Sequence, residues 1–470
     1  MKNIIKLSVA AAVLATLTAC NSSSDPVQVP PPPPPPPPPV VVDATLRVVH
    51  ASFDAPAVNV KVNGDVVIEG LAFADSSDNF DLPPATYAVA VDALLPGDAT
   101  ATVIGPLDLA LAEAKNYKVF AVGLVADETL EPLVVTSDVA PLAQGNVRVQ
   151  VVHAASAAPT VDVHVTAPDA ALSAPLATLD YKAFTGAVDV PAGNYRVRIT
   201  LPGEDTVVFD SGTLELTSGM DLVVAAINSN YSGASPVSLL AVTPEGEVLP
   251  ILDANSTSSL RVVHNVSDAP AVDIVVNDNF ETPLVSDLAF PDFTGYVTPA
   301  PGDYNVKVAV ANTETAVIDA DVTLDDGVFY TVIATGSLSD ADDFAITPLV
   351  LVDDTRTIAT EARVRLIHGS TLAGNVDIYV TATADIADAT PAFSNVPYLA
   401  ETGYVALAAG DYFVTVTPTG TKTAAIETGM LSLAANNIYT AIARDGEGLM
   451  GVGLTVMDAF VVAEEPVAGM

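Results

Sequence analysis

The apolar positions of this chain recur at every second residue over short stretches, the pattern of strands that bury one face. In "VDIVVN" the residues Val272, Ile274 and Val276 share a face, with Asp273 and Asn277 opposite. Tyr304, Val306 and Val308 form another row beneath a Pro-Gly-Asp turn, and Tyr330 to Thr335 is apolar on both rows, as a central strand would be. Val, Ala and Thr dominate, helical periodicity is hard to find, and Gly, Pro, Asn and Asp fall at short intervals. About seven short strands per 100 residues predict an antiparallel β-sandwich of immunoglobulin-like or transthyretin-like form.

The pattern is written four times. Its histidines fall at His50, His153, His264 and His368, at intervals of 103, 111 and 104 residues. About nine residues after each comes Asn59, Asp162, Asp273 or Asp377, followed by an apolar residue. A tight turn then leads into Tyr87, Tyr195, Tyr304 or Tyr412, a set of repeated core tyrosines placed like a tyrosine corner. A period near 100 residues suits an independent domain and is too long for a solenoid unit. The predicted domains are 44–143, 146–254, 257–355 and 361–463: an all-β chain of four tandem sandwiches. The joints at Ala143 to Asn146, Ala254 to Ser258 and Asp354 to Thr360 are short enough to predict a semi-rigid string.

Strand alternation also places the histidines. Leu46, Val48 and His50 share a face, as do Val149, Val151 and His153, Leu260, Val262 and His264, and Val364, Leu366 and His368. Each histidine therefore ends an inward apolar row, with Arg47, Arg261 and Arg365 on the other face. An imidazole there can hydrogen-bond the backbone of the turn that follows, which makes it a folding device. The other reading is a ligand site built from His264 and Asp273 with Asp268, although Asp273 leans away from the inward face of its own strand. His164 is extra, present in the second repeat alone on an outward row.

The opening Arg-Val-Val-His-x-Ser-x-Asp-Ala-Pro-x-Val-Asp-Val pattern resembles the bacterial family called domain of unknown function 4397, often found in tandem in exported proteins. The resemblance covers most of residues 44 to 460. The first repeat (Arg47, His50, Ser52, Asp54, Pro56) and the third (Arg261, His264, Asp268, Pro270, Asp273) match best. The second has Gln150 for the Arg and Ala157 for the Asp, and the fourth has Leu372 for that Asp and Gly374 for the Pro. The resemblance implies modular architecture and transfers no catalytic residue.

The amino-terminal residues read as an address. Lys2 and Lys6 precede an apolar stretch from Leu7 to Leu17 that is of signal-peptide length and too short to span a bilayer. It ends in Leu17-Thr18-Ala19-Cys20, which resembles the lipobox of bacterial lipoproteins and implies cleavage before Cys20 and its lipidation. Residues 1–20 are thus the expected signal peptide, and several acyl chains on Cys20 would anchor the chain to a membrane. Asn21 in the next position favours the outer over the inner membrane of the cell envelope. Residues 21–43 form a proline-rich stalk in which Pro30 to Pro39 are ten consecutive prolines. As polyproline II they span about 30 Å.

Charge and motif content narrow the chemistry. Without Lys2 and Lys6 the chain carries 15 basic against 57 acidic residues, a net charge of −42 that excludes a basic nucleic-acid surface. Half of the residues are hydrophobic, so this is no disordered acidic tail. Cys20 is the one cysteine, so no intramolecular disulfide forms. A transition-metal site wants three or four converging His, Cys or carboxylate ligands, and each repeat offers one dependable histidine. Asp325-Asp326-Gly327, Asp340 to Asp343 and Asp353-Asp354 carry the hard oxygens calcium needs, without EF-hand spacing; calcium is the one cofactor left open beside none at all. There is no Gly-x-Ser-x-Gly elbow, no His-Glu-x-x-His and no phosphate-cradling glycine loop, so no enzyme is expected. The first reading is a lipid-anchored spacer or adhesion module meeting a cell-surface protein or polysaccharide. The alternative is a multivalent carbohydrate-binding lipoprotein, for which Phe53, Phe293 or Tyr398 would have to be exposed. A calcium-stabilised adhesin comes behind both.

Overall fold

The computed structural model describes residues 42–340 and 342–459. The expected signal peptide, Leu17 to Cys20 and the stalk up to residue 41 lie outside the described residues, as do residues 460–463 of the last predicted domain. Among the described residues the chain is all-β, with one short 3-10 segment at Glu447–Leu449. No helix of the described residues is long and apolar enough to cross a membrane.

Among the described residues the strands group into eight sheets, two for each repeat, and each sheet draws its strands from one repeat. One sheet is built on the opening strand: Ala44–His50, Asn146–His153, Ser259–Asn265 or Ala362–His368. That strand pairs with the central strand Lys115–Val122, Asp221–Asn228, Phe329–Thr335 or Asn437–Asp445. The facing sheet is built on Val58–Val62, Val161–Thr166, Val272–Val276 or Val376–Thr381, hydrogen-bonded to the strand that carries the repeated tyrosine. These ladders are antiparallel except one in each repeat. The opening and central strands run parallel, with Leu46 opposite Tyr117, Val149 opposite Leu222, Leu260 opposite Tyr330 and Val364 opposite Tyr439. A long connection through the second sheet makes this parallel closure accessible.

The expected string is not what forms. The described residues from Val42 to Ala459 make one compact unit, because the outer sheet faces are apolar and pack on one another. Val49, Phe120, Val122 and Val135 of the first repeat share a buried cluster with Val152, Val223, Ile227 and Leu240 of the second. Val263, Ile333 and Leu351 of the third do the same with Ile367, Ile442 and Met457 of the fourth. Loops and joints add polar ties: Ser232 N–H donates to Gly327 O at 2.8 Å, and Arg356 donates to Phe53 O and Ala55 O at 2.8 and 3.0 Å. Alternation makes one row inward for a lone sandwich. Here the second row, with its valines, isoleucine and arginines, is inward as well, because another repeat covers it.

Candidate functional site

The four repeated histidines are among the most buried side chains of the chain, at 0–1% exposure. Each Nε2–H donates to a carbonyl six residues on: Pro56 at 3.0 Å, Pro159 at 2.9 Å, Pro270 at 2.9 Å and Gly374 at 2.6 Å. The partner at Gly374 explains why the fourth repeat manages without the proline: the bond needs the carbonyl of that residue, whatever its side chain. Burial lowers all four imidazoles below the usual histidine range. For His50, burial, with Arg356 nearby, outweighs the bond to Pro56 and brings it to about 4.

Two partners of the histidine escape the sequence reading. An aromatic ring meets each imidazole edge to face: Phe73, Tyr181, Phe290 and Tyr398, with centroids 6.0–6.3 Å apart. Four residues later a hydroxyl (Ser77, Thr185, Thr294 or Thr402) accepts the backbone N–H two residues before the histidine, at 3.0 Å in every repeat. The segment between them ties to the histidine backbone, as where His264 N–H donates to Asp292 O at 3.0 Å. An aromatic four positions before Ser or Thr is the signal that marks this clamp.

The second repeated polar position works separately. Asp273 accepts from Asp287 N–H at 2.8 Å and Asn312 N–H at 2.9 Å, and Asp377 from Asn395 N–H and Gly420 N–H at 2.8 and 2.9 Å. Asp162 accepts from Gly203 N–H at 3.0 Å and from the Thr178 hydroxyl, and Asn59 from Gly70 N–H at 2.9 Å. Each aspartate ties the neighbouring edge strand on one side to a loop on the other, and Asn59 holds the edge strand. Asp268 is bound elsewhere, to Leu338 N–H and Ser339 N–H at 3.0 Å each and to the hydroxyls of Ser337 and Ser339. Burial alone would raise its carboxyl, but these donors hold it at about 2. His264, Asp268 and Asp273 therefore do not converge on a ligand; each serves a different loop.

Repeats two and four lack that Asp, at Ala157 and Leu372, and fill its place from the other strand. Asn228 Oδ1 accepts Ala157 N–H at 3.0 Å, and Asp445 accepts Thr371 N–H and Leu372 N–H at 3.2 Å each. In the first repeat the direction is opposite, with Asp54 accepting Val125 N–H and Ala126 N–H at 2.7 and 2.9 Å. The same two loops are laced together from either end.

The repeated tyrosines are half-buried at the edge of the core instead of inside it. Their hydroxyls donate to the carbonyl four residues earlier: Pro83 at 2.9 Å, Pro191 at 2.7 Å, Ala300 at 2.7 Å and Ala408 at 2.9 Å. His164 is also buried, although its row points outward in the strand; Nδ1 lies 2.8 Å from Ser173 O and Nε2 3.1 Å from the Thr200 hydroxyl. The residues 167–176 loop back over that row.

The arginines sit between repeats. Arg365 pairs with Asp353 at 2.7 Å and Arg261 with Asp458 at 2.6 Å, each bond crossing from one repeat to the other. Arg47 donates to the carbonyls of Thr243 and Pro244, and Gln150 reaches back to Thr136 O at 3.3 Å. Asp353 and Asp354, two of the calcium candidates, are engaged by these cations, Asp354 by Arg363 at 2.9 Å. Among the described residues no group of three or more His, Cys, Asp or Glu is placed to hold a metal ion. Of the three candidate sugar platforms, Phe293 is 40% exposed, while Phe53 packs on Phe73 and Tyr398 on Phe344.

The model of a family described as "Domain of unknown function (DUF4397)" matches residues 44–164 and 258–379, together more than half of the chain. Each match runs past one repeat and through the histidine and aspartate of the next. No curated protein matches the chain. Among solved structures, the Bacillus anthracis TIE protein is 12% identical with a TM-score of 0.15, covering 82% of this chain and 65% of its own. Family 41 carbohydrate-binding modules from streptococcal virulence factors are 12% identical with a TM-score of 0.14, covering 39% of this chain and 92% of theirs. The multi-modular glycogen-degrading pneumococcal virulence factor SpuA is 10% identical with a TM-score of 0.14, covering 57% and 37%. This chain spans less than two thirds of the length of the first and the third.

Proposed function

The chain belongs to the DUF4397 family, and from that premise we propose that it is a non-catalytic, lipid-anchored protein of the bacterial cell envelope. Its four sandwiches act as one rigid adhesion or interaction module, held at the outer membrane through Cys20. The observation that supports this reading is where the repeated polar residues spend their hydrogen bonds. His50, His153, His264 and His368, with Asn59, Asp162, Asp273 and Asp377, each hold backbone of their own repeat. What is repeated is a scaffold, so contact comes from loops and outer surfaces and needs no calcium. A net charge of −42 after loss of the two leading lysines suits a partner other than nucleic acid.

One observation favours the carbohydrate reading as the second choice. Phe184 and Phe293 occupy the same bridge position in the second and third repeats, opposite Val152 and Val263, and are 37% and 40% exposed. Two exposed rings at matched sites could stack on neighbouring sugars. Cells displaying the full chain should adhere to a panel of immobilised polysaccharides and envelope proteins, and Cys20→Ser should abolish adhesion by releasing the chain from the membrane fraction. Adhesion that persists in Phe184→Ala/Phe293→Ala supports the protein-module reading, and its loss supports the carbohydrate one. No adhesion, or a membrane fraction unchanged by Cys20→Ser, sinks the proposal.

A further inference from the structure

The second repeat differs from its three sisters at one register position of the core. Tyr117, Tyr330 and Tyr439, on the central strands, lie opposite Leu46, Leu260 and Val364 and are buried. Each hydroxyl accepts the N–H of the residue five positions earlier, Ala112 at 2.9 Å, Asp325 at 3.1 Å and Ala434 at 2.9 Å. In the second repeat the same register sets Val149 against Leu222. The phenol ring is missing, and Val149 is smaller than the leucines of the first and third repeats.

The space left by that ring stays open. A cavity of about 390 Å³ lies between the two sheets of the second repeat. The corresponding spaces in the first and fourth repeats, which keep the tyrosine, are about 180 and 50 Å³. Protein interiors hold few voids larger than a water molecule, and apolar ones do not fill with water. A cavity of small-molecule size is therefore costly unless an apolar ligand occupies it.

The lining says which kind. Its walls are aliphatic, with Val163, Val197, Val224 and Leu239 among them, and it reaches the surface beside Leu176, Val188 and Leu249, each more than a third exposed. Four polar side chains line it, and three are committed: His153 to Pro159 O, the Thr185 hydroxyl to Val151 N–H, and the Tyr195 hydroxyl to Pro191 O. The fourth, Glu215, is exposed, so no charge is buried among the aliphatic walls. Facing sheets lie about 10 Å apart, a slot that admits a narrow chain more readily than fused rings. We propose that the gap between the sheets of the second repeat binds a single unbranched hydrocarbon chain, such as a lipid acyl chain, with its head group outside.

The site is independent of the adhesion reading and can be tested without it. Titration of the full chain with 1-decanol, followed by calorimetry, should show saturable binding. Leu222→Tyr restores the ring of the sister repeats and Val149→Leu the aliphatic partner of the first and third. Each should weaken decanol binding at least tenfold and raise the melting temperature of the unliganded chain. If Leu222→Tyr does not fold, Val149→Leu carries the test. Absence of decanol binding, or binding unchanged in the folded variants, overturns the proposal. Two further probes identify the source: tighter binding of lysophosphatidylcholine than of decanoate points to a membrane lipid, and the reverse to a free fatty acid, either of which keeps the site.

Discussion

Each repeated histidine presents one N–H, on Nε2, because the atom it faces is a carbonyl oxygen that only accepts. In the third and fourth repeats the other ring nitrogen accepts a backbone N–H, from Val266 at 3.3 Å and Ser370 at 3.4 Å. A second proton would place a donor against a donor inside the core, so folding favours the neutral ring. The pH consequence follows from the direction of the shift. Above pH 6.5 both the folded and the unfolded states hold His50 neutral, and its full contribution is present. As pH falls below 6.5 the unfolded chain takes up a proton that the folded chain refuses until about 4, so stability is lost across that window. For His50 alone the loss is about 3 kcal/mol. Asp268, held at about 2, adds its loss only below the ordinary carboxylate range of 3.8. His50→Gln keeps an N–H donor and cannot titrate there. Urea midpoints measured between pH 7 and 4 should fall less steeply in His50→Gln than in the parent; parallel curves would show that the ring is not held neutral by burial.

At the scale of the strand, one row of the opening segment was legible and its neighbour was not. Leu46, Val48 and His50 announce an inward row by alternation, and they line one sandwich core or its rim. The alternate row mixes arginine with valine or isoleucine, which on a single sheet reads as ordinary surface. It is buried because a second repeat lies over it, and nothing in a local period of two carries that information. The clamp of aromatic and hydroxyl was hidden for a different reason. It lies just past the third strand of each repeat, and the loop before that strand differs in length, so Phe73, Tyr181, Phe290 and Tyr398 do not line up by distance from the histidine. The Arg261, Asp353 and Arg365 group shows what the covered row contributes. Asp353 also accepts from the Tyr296 hydroxyl at 2.6 Å, so one carboxylate serves both arginines and a phenol. Asp353→Ala would leave two guanidinium groups buried without that charge and should cost about 3–5 kcal/mol. Chemical denaturation of the full chain measures it, and a loss under about 1 kcal/mol, the range of an exposed pair, would place the group in solvent.

At the scale of the whole chain, the number of repeats and their sandwich architecture could be read from spacing and alternation, whereas their association could not. The joints are short tethers, but chain length alone does not set what two faces do when both are apolar. Phe120 lies fully buried in the cluster shared by the first two repeats, with Val152, Val223 and Leu240 from the partner sheet beside it. Removing its ring takes packing from both repeats at once, at about 3–5 kcal/mol. The third and fourth repeats have their own shared cluster around Val263, Ile333, Ile367 and Ile442. Hydrogen exchange on Phe120→Ala should therefore rise in the sheets of residues 44–138 and of residues 146–251 together, with less change in 259–353 and 362–458. Exchange that rises in the first repeat alone would mean that the pair does not share a core. The string would then be the better description, and the proposed module would act by reach rather than by rigidity.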